Sequence, residues 1–162
     1  MTAATAARRT TAGGEAVLFL AAFSWAAAAV HAVVAVPHLE EYPLFGVAFA
    51  VLAVAQAASA VLLYRRCDRR ALLGAIALNS AVLLVWALSR TIGLPIGPEA
   101  GSAEAVGFPD VGASVDELAL IVLARSLLRG RSETLGAWAR QSALVVLIFC
   151  GVALMTAGHT HA

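Results

Sequence analysis

The feature that most constrains this chain is a series of apolar runs, each about 20 residues long, the length that a helix needs to cross about 30 Å of hydrocarbon. Of the 162 residues, 61% are hydrophobic and only 13% are charged. A water-soluble domain of this size needs more polar residues to cover its surface. The sequence therefore predicts an integral membrane protein, built from helices because a helix satisfies its own backbone hydrogen bonds in lipid.

Five runs are candidate spans, and they cover residues 16–36, 43–63, 71–94, 111–128 and 136–157. We expect an all-α transmembrane bundle of five spans within residues 16–157, after a disordered tail at 1–15 and before a short histidine-containing tail at 158–162. The fourth run is the weakest because it contains Asp116 and Glu117. A start at Asp110, acting as the N-cap, gives this run enough length to cross.

The arginines predict the direction of the spans. All 11 basic residues are arginine. Most lie before the first span, between the second and third, or around the loop between the fourth and fifth: Arg8, Arg9, Arg65, Arg66, Arg69, Arg70, Arg125, Arg129, Arg131 and Arg140. The positive-inside rule then places the N-terminus in the cytoplasm and the C-terminus outside. The exception is Arg90, near the outer end of the third span.

This topology gathers ionisable groups in the outer leaflet. At about 1.5 Å of rise per residue, His31, Arg90 and the pair Asp116 and Glu117 lie roughly 6–10 Å below the outer ends of their spans. A charge in hydrocarbon is costly unless it is paired or hydrated. We therefore expect Arg90 to pair with Asp116 or Glu117, as a structural tie or as a switch. Snorkelling of Arg90 to the headgroups is the alternative interpretation.

The histidines suggest a metal site. His31 and His38 are seven residues apart and share a helix face if the helix continues through Pro37. Together with Glu41 and Asp116 they are candidate ligands for copper, zinc or iron, since imidazole and carboxylate suit divalent transition metals. No spacing matches a named metal motif. Histidines that only form hydrogen bonds, or that act as a protonatable switch, stay open as alternatives.

Two amide side chains lie nearer the middle of the membrane. Gln56 in the second span and Asn79 in the third are at similar depth, each roughly 18–20 Å from the outer surface. We expect them to form a hydrogen bond that fixes helix packing, because interhelical amides commonly have this role.

Several function classes find no support in the sequence. It contains no P-loop, dinucleotide fingerprint, CxxC or G-x-S-x-G motif, so enzymatic activity is the least supported class. The net charge of +1 gives no indication of nucleic-acid binding. Three classes stay open: an accessory protein that binds a metal, a small proton-coupled carrier that uses Arg90, Asp116 and Glu117, and a structural or assembly subunit. The expected partner is the lipid bilayer, and a homo-oligomer or a membrane-protein partner is compatible with each class.

One segment carries a resemblance. The stretch 86-WALSRTIGLPIGP-98, followed by 104-EAVGFPD-110 and an acidic span, resembles uncharacterised multi-pass membrane proteins of high-GC actinobacteria. The resemblance extends over residues 30–128. It implies a protein of the bacterial plasma membrane and brings no activity with it.

Overall fold

The computed structural model describes the backbone of residues 3–130 and the side chains of residues 14–107 and 110–130. This part of the chain forms four helices: α1 (Ala3–Glu41), α2 (Pro43–Arg65), α3 (Arg69–Thr91) and α4 (Phe108–Leu128). No strand occurs among the described residues. The prediction of an all-helical fold is therefore confirmed for residues 3–130.

Three of these helices are long and apolar enough to cross a membrane: Gly14–Glu41 of α1, Pro43–Arg65 and Arg69–Thr91. Their length and composition make the chain a membrane protein. The prediction of five spans is not supported. α4 does not qualify because it is not apolar enough. Every stretch of it that is long enough to cross contains the three charged residues Asp116, Glu117 and Arg125. The predicted fifth span at 136–157 and the tail at 158–162 lie outside the described residues.

The helices begin at recognisable local signals. Pro43 opens α2, where its fixed φ suits the first turn and its missing N–H costs nothing. α3 follows Asp68, whose carboxylate accepts a hydrogen bond from the Ala71 N–H at 2.9 Å. α4 follows Gly107, whose N–H donates to the Asp110 carboxylate at 2.8 Å. Asp110 therefore lies in the first turn and is not the N-cap that the sequence suggested.

α1 is longer at both ends than the predicted span. It begins at Ala3, within the segment that the sequence predicted as a disordered tail. Alanine and arginine, which favour helix, make up much of this segment. At the other end α1 continues past Pro37 to Glu41, because a proline there removes only one hydrogen bond close to the end of the helix.

The four helices form a bundle in which each packs against its neighbours in the chain, and α4 also packs against α1. Within the described residues, the backbones of the diagonal pairs, α1 with α3 and α2 with α4, do not pack directly. Small residues allow α1 and α2 to approach closely: Gly46 lies so near Leu39 that a Cβ there would overlap its backbone. Side chains from all four helices reach the axis of the bundle, where they contact one another.

Candidate functional site

Buried polar side chains from all four helices meet inside the bundle. They are no more than 5% exposed. We call the following set the polar cluster: Ser24 and His31 of α1, Gln56 of α2, Asn79 of α3 and Glu117 of α4. A buried polar group is costly unless it is hydrogen-bonded, so the contacts within the cluster determine what it can do.

Gln56 lies at the centre of the polar cluster. Its side-chain oxygen Oε1 is 2.7 Å from His31 Nδ1. Its amide nitrogen Nε2 donates to Asn79 Oδ1 and to Glu117 Oε1, each at 3.3 Å. Its backbone carbonyl accepts a hydrogen bond from Ser24 Oγ at 2.7 Å. One residue of α2 is thus linked to each of the other three helices.

These contacts determine which nitrogen of His31 carries the hydrogen. Asn79 Nδ2 lies 2.8 Å from the Ala75 carbonyl oxygen, which can only accept, so Asn79 Oδ1 faces Gln56 as an acceptor. Gln56 must then present its NH₂ group to Asn79 and its Oε1 to His31. Since Oε1 can only accept, His31 Nδ1 is the donor and carries a hydrogen.

The other nitrogen of His31 faces an acid. His31 Nε2 is 3.9 Å from Glu117 Oε1, and both side chains are almost completely buried. With Nδ1–H fixed by Gln56, an unprotonated Nε2 and an ionised carboxylate would present two acceptors to each other. One proton removes this conflict. It can be bound to His31, which gives an imidazolium beside a carboxylate, or to Glu117, which gives a carboxylic acid beside an imidazole. The separation of 3.9 Å is an ion-pair distance and longer than a hydrogen bond, so the two groups interact through their charges, and one proton on either of them suits this geometry.

The predicted metal ligands do not come together as a set. His31 and His38 do share a face, but the ring of Phe49 packs against both, stacked on His31 at 5.8 Å and edge-on to His38 at 4.8 Å between ring centroids. His38 Nδ1 also lies 2.8 Å from the Val34 carbonyl oxygen. Glu41 is exposed at the end of α1.

Asp116, the remaining predicted ligand, is completely buried on α4 beside Glu117. Among the residues whose side chains are described, no three of histidine, cysteine, aspartate and glutamate are grouped as metal ligands. The metal site stays a hypothesis, for which these contacts provide a histidine and a glutamate but no third ligand.

Arg90 pairs with different acids from those expected. Its guanidinium contacts the Glu104 carboxylate and lies 2.9 Å from Asp110 Oδ2, and it donates to Ser89 Oγ at 3.0 Å. The prediction of a pair with Asp116 or Glu117 is wrong. Because α4 begins at Phe108, its first turn and the preceding loop lie level with Arg90, whereas the acidic pair lies deeper.

The loop between α3 and α4, residues 92–107, folds back over this end of the bundle. The Glu104 N–H donates to the Ser89 carbonyl at 3.0 Å, and the Gly101 N–H donates to the Leu94 carbonyl at 2.8 Å. Gly97, at a φ of +103° that favours glycine, lies against the ring of Phe45. These contacts place Glu104 within reach of Arg90. In the sequence, Glu104 and Asp110 lie close to the start of α4, and this position could have identified them as the partners of Arg90.

The predicted contact between Gln56 and Asn79 is present, as part of a larger network. Ser24, Phe49 and the link between Gln56 and Glu117 were not predicted. Ser24 and Phe49 lie in apolar runs where a hydroxyl or a ring gives no signal of its own. Whether Glu117 faces α1, α2 or α3 depends on the rotation of α4 about its axis, which the sequence leaves open.

The chain matches no protein family, no curated protein and no solved structure. The chemistry of the polar cluster is therefore the basis for assigning a function.

Proposed function

We propose that this chain is a small proton-coupled membrane carrier, in which His31 and Glu117 hold the exchangeable proton. The observation that carries the proposal is the 3.9 Å approach of His31 Nε2 to Glu117 Oε1 inside the bundle. Buried ionisable residues in membrane helices commonly belong to proton relays and substrate pathways. The hydrogen bond from His31 Nδ1 to Gln56 strengthens the proposal, because it directs the second nitrogen at the acid.

Proton release would change the partner of Glu117. With one proton present, the His31–Glu117 pair has no net charge and its contact is attractive. Without it, two acceptors face each other. Where the proton was held by the carboxyl, its loss also ionises Glu117, so that the hydrogen bond from Gln56 Nε2 becomes charge-assisted and stronger. Proton loss from the carboxyl thus weakens the link between α1 and α4 and strengthens the link between α2 and α4. A change of this kind provides two states that a carrier can alternate between.

The placement in the membrane is also part of the proposal. We infer that α4 is a fourth span despite its acids, because Asp116 and Glu117 are buried inside the bundle and do not face lipid. The distribution of arginine favours a cytoplasmic N-terminus. A bacterial plasma membrane follows from the resemblance carried by residues 86–98, and a fifth span follows from the apolar run at 136–157.

The test is charge movement after a pH jump. The full-length protein is reconstituted into liposomes on a solid-supported membrane, and transient currents are recorded for the wild type, Glu117→Gln and His31→Gln. Glu104→Gln is the matched control, because it makes the same chemical change outside the polar cluster. We expect currents from the wild type and Glu104→Gln, and none above empty liposomes from the other two variants. Wild-type currents equal to empty liposomes, or currents retained in a folded Glu117→Gln, would contradict the proposal.

A structural subunit is the second candidate, favoured by the links from Gln56 to the three other helices. Interhelical hydrogen bonds of this kind commonly fix packing in membrane proteins. In this case Glu117→Gln and His31→Gln would change only the stability of the bundle. Stability measured alongside the currents separates the two functions.

A further inference from the structure

An apolar groove lies at the end of the bundle away from the Arg90 loop. It runs between the beginning of α3 and the end of α4, with a volume of about 400 Å³. Its lining residues are Arg69, Leu72, Leu73, Leu127 and Leu128. The volume falls within the range of ligand pockets, about 300–1,000 Å³. Four leucines and one arginine at the rim suit a ligand with a hydrocarbon part and an anionic part.

The floor of the groove is part of the packed core. Leu72 is 5% exposed and belongs to the same buried cluster as Leu63, and Leu127 and Leu128 pack against that cluster. Leu73, in contrast, is 42% exposed and forms an open wall. The groove is thus apolar, its floor is part of the packed core, and it is accessible from the side of Leu73.

The surroundings of the groove are strongly basic. The end of α2, the beginning of α3 and the end of α4 carry exposed arginines: Arg65, Arg66, Arg69, Arg70, Arg125 and Arg129. Among the described side chains, the acids at this end are Glu15 and Asp68, and Asp68 caps α3 through the Ala71 N–H. The arginines therefore outnumber the acids, and the field at the groove favours an anion.

We propose that this groove binds an anionic phospholipid, with an acyl chain along its leucines and the phosphate on Arg69. Charge complementarity favours an anionic headgroup over a zwitterionic one, since arginines near the headgroups attract anionic lipid. Basic pockets between membrane helices are a known type of site for such headgroups. The proposal does not depend on proton binding at the polar cluster, which lies deeper in the bundle.

The test is lipid retention by the full-length protein in native mass spectrometry. Phosphatidylglycerol and phosphatidylcholine with identical acyl chains are offered at equal concentration. Arg69→Gln removes the charge at the rim, and Leu73→Trp fills the groove without changing charge. Arg65→Gln is the matched control, because it removes an arginine at the same end outside the groove lining. We expect the wild type and Arg65→Gln to retain phosphatidylglycerol selectively, and the other two variants to lose most of it.

Three results would overturn the proposal. Equal retention of the two lipids by the wild type would show that the headgroup charge is not recognised. Equal loss in Arg65→Gln and Arg69→Gln would show a diffuse attraction with no site. A lipid-free wild type, whether monomeric or dimeric, would show that the groove does not hold a phospholipid. Arg69→Gln changes an exposed side chain, so the test does not depend on Leu73→Trp folding correctly.

Discussion

Gln56 of α2 donates a hydrogen bond to Glu117 of α4 at 3.3 Å, although the backbones of these two helices do not pack against each other. The contact is possible because both side chains point to the axis of the bundle, where His31 and Asn79 also meet Gln56. An amide is well suited to this position, since it offers two donor hydrogens and an acceptor oxygen to three different helices. Stability and proton binding therefore depend on the same small group of residues.

Replacement of Gln56 by leucine should destabilise the bundle. Leucine has a similar size but leaves His31 Nδ1 and Asn79 Oδ1 without their hydrogen bonds to Gln56. Interhelical hydrogen bonds in membrane proteins contribute about 0.6–1.7 kcal/mol each, so we expect a loss of about 1–3 kcal/mol in the free energy of unfolding. The measurement is reversible unfolding in mixed detergent micelles. Thr91→Val is the control, because the partners of the Thr91 hydroxyl among the described residues are carbonyls of its own helix.

If Gln56→Leu were as stable as the wild type while Thr91→Val behaved as expected, the network would not contribute to stability. The role assigned to Gln56 as the link between helices would then be wrong.

The loop at residues 92–107 should loosen when Arg90 is replaced by glutamine. Arg90 contacts the carboxylates of Glu104 and Asp110, which lie in this loop and at the start of α4. A neutral and shorter glutamine side chain keeps neither ion pair, so we expect faster hydrogen exchange in the loop and in the first turn of α4. Hydrogen exchange with mass spectrometry measures this directly. Glu99→Gln, which neutralises an exposed acid of the same loop, should leave the rates unchanged.

The sequence predicts the helices and the depth of their polar residues, but it did not predict the partners of Arg90. The apolar runs predict the helices α1 to α3 to within a few residues at most ends, because membrane thickness fixes their length. The depth of Gln56 and Asn79 likewise predicts their contact. Depth alone cannot give the rotation of a helix, so Glu117 could not be assigned to Gln56 and His31. The loop acid Glu104 was missed because a loop that folds back brings residues together without any periodicity.

The Cys67 thiol should react slowly at neutral pH. Burial raises the pKa of this thiol, and the charge of Asp68 raises it further. Because only the thiolate is nucleophilic, a raised pKa lowers the alkylation rate at neutral pH and moves its rise to higher pH. Asp68→Asn keeps an N-cap side chain for α3 but removes the charge, so it should shift the rate profile to lower pH.

Maleimide labelling in a Cys150→Ala background, followed over a range of pH, measures this profile. An unchanged profile in Asp68→Asn would show that the charge of Asp68 does not act on the thiol.

Metal content distinguishes metal binding from proton binding at His31. The two donor atoms His31 Nε2 and Glu117 Oε1 lie 3.9 Å apart, but the described residues supply no third ligand. We expect untagged protein, purified without chelators and supplemented with copper, zinc and iron, to contain less than one metal ion per chain by elemental mass spectrometry. Stoichiometric metal that is lost in a folded His31→Ala variant would instead establish the ligand site that the histidines suggested.

Replacement of Glu117 by glutamine should remove the pH dependence of stability that arises in the polar cluster. In the wild type the contact with His31 Nε2 is attractive only while one proton is present, so stability should fall as rising pH removes that proton. A glutamine has no titratable group, so this source of pH dependence is absent from the variant. Asp116, the buried acid next to Glu117, is unchanged in this variant.

The measurement is the unfolding midpoint in detergent from mildly acidic to alkaline pH. We expect the wild type and the control Glu104→Gln to lose stability on the alkaline side, and Glu117→Gln to follow a flatter profile. A proton held by one pair of groups changes the slope by about 1.4 kcal/mol per pH unit at most, which sets the size of the difference to be detected. Parallel profiles for Glu117→Gln and the wild type would mean that His31 and Glu117 share no proton, and the carrier proposal would lose its basis.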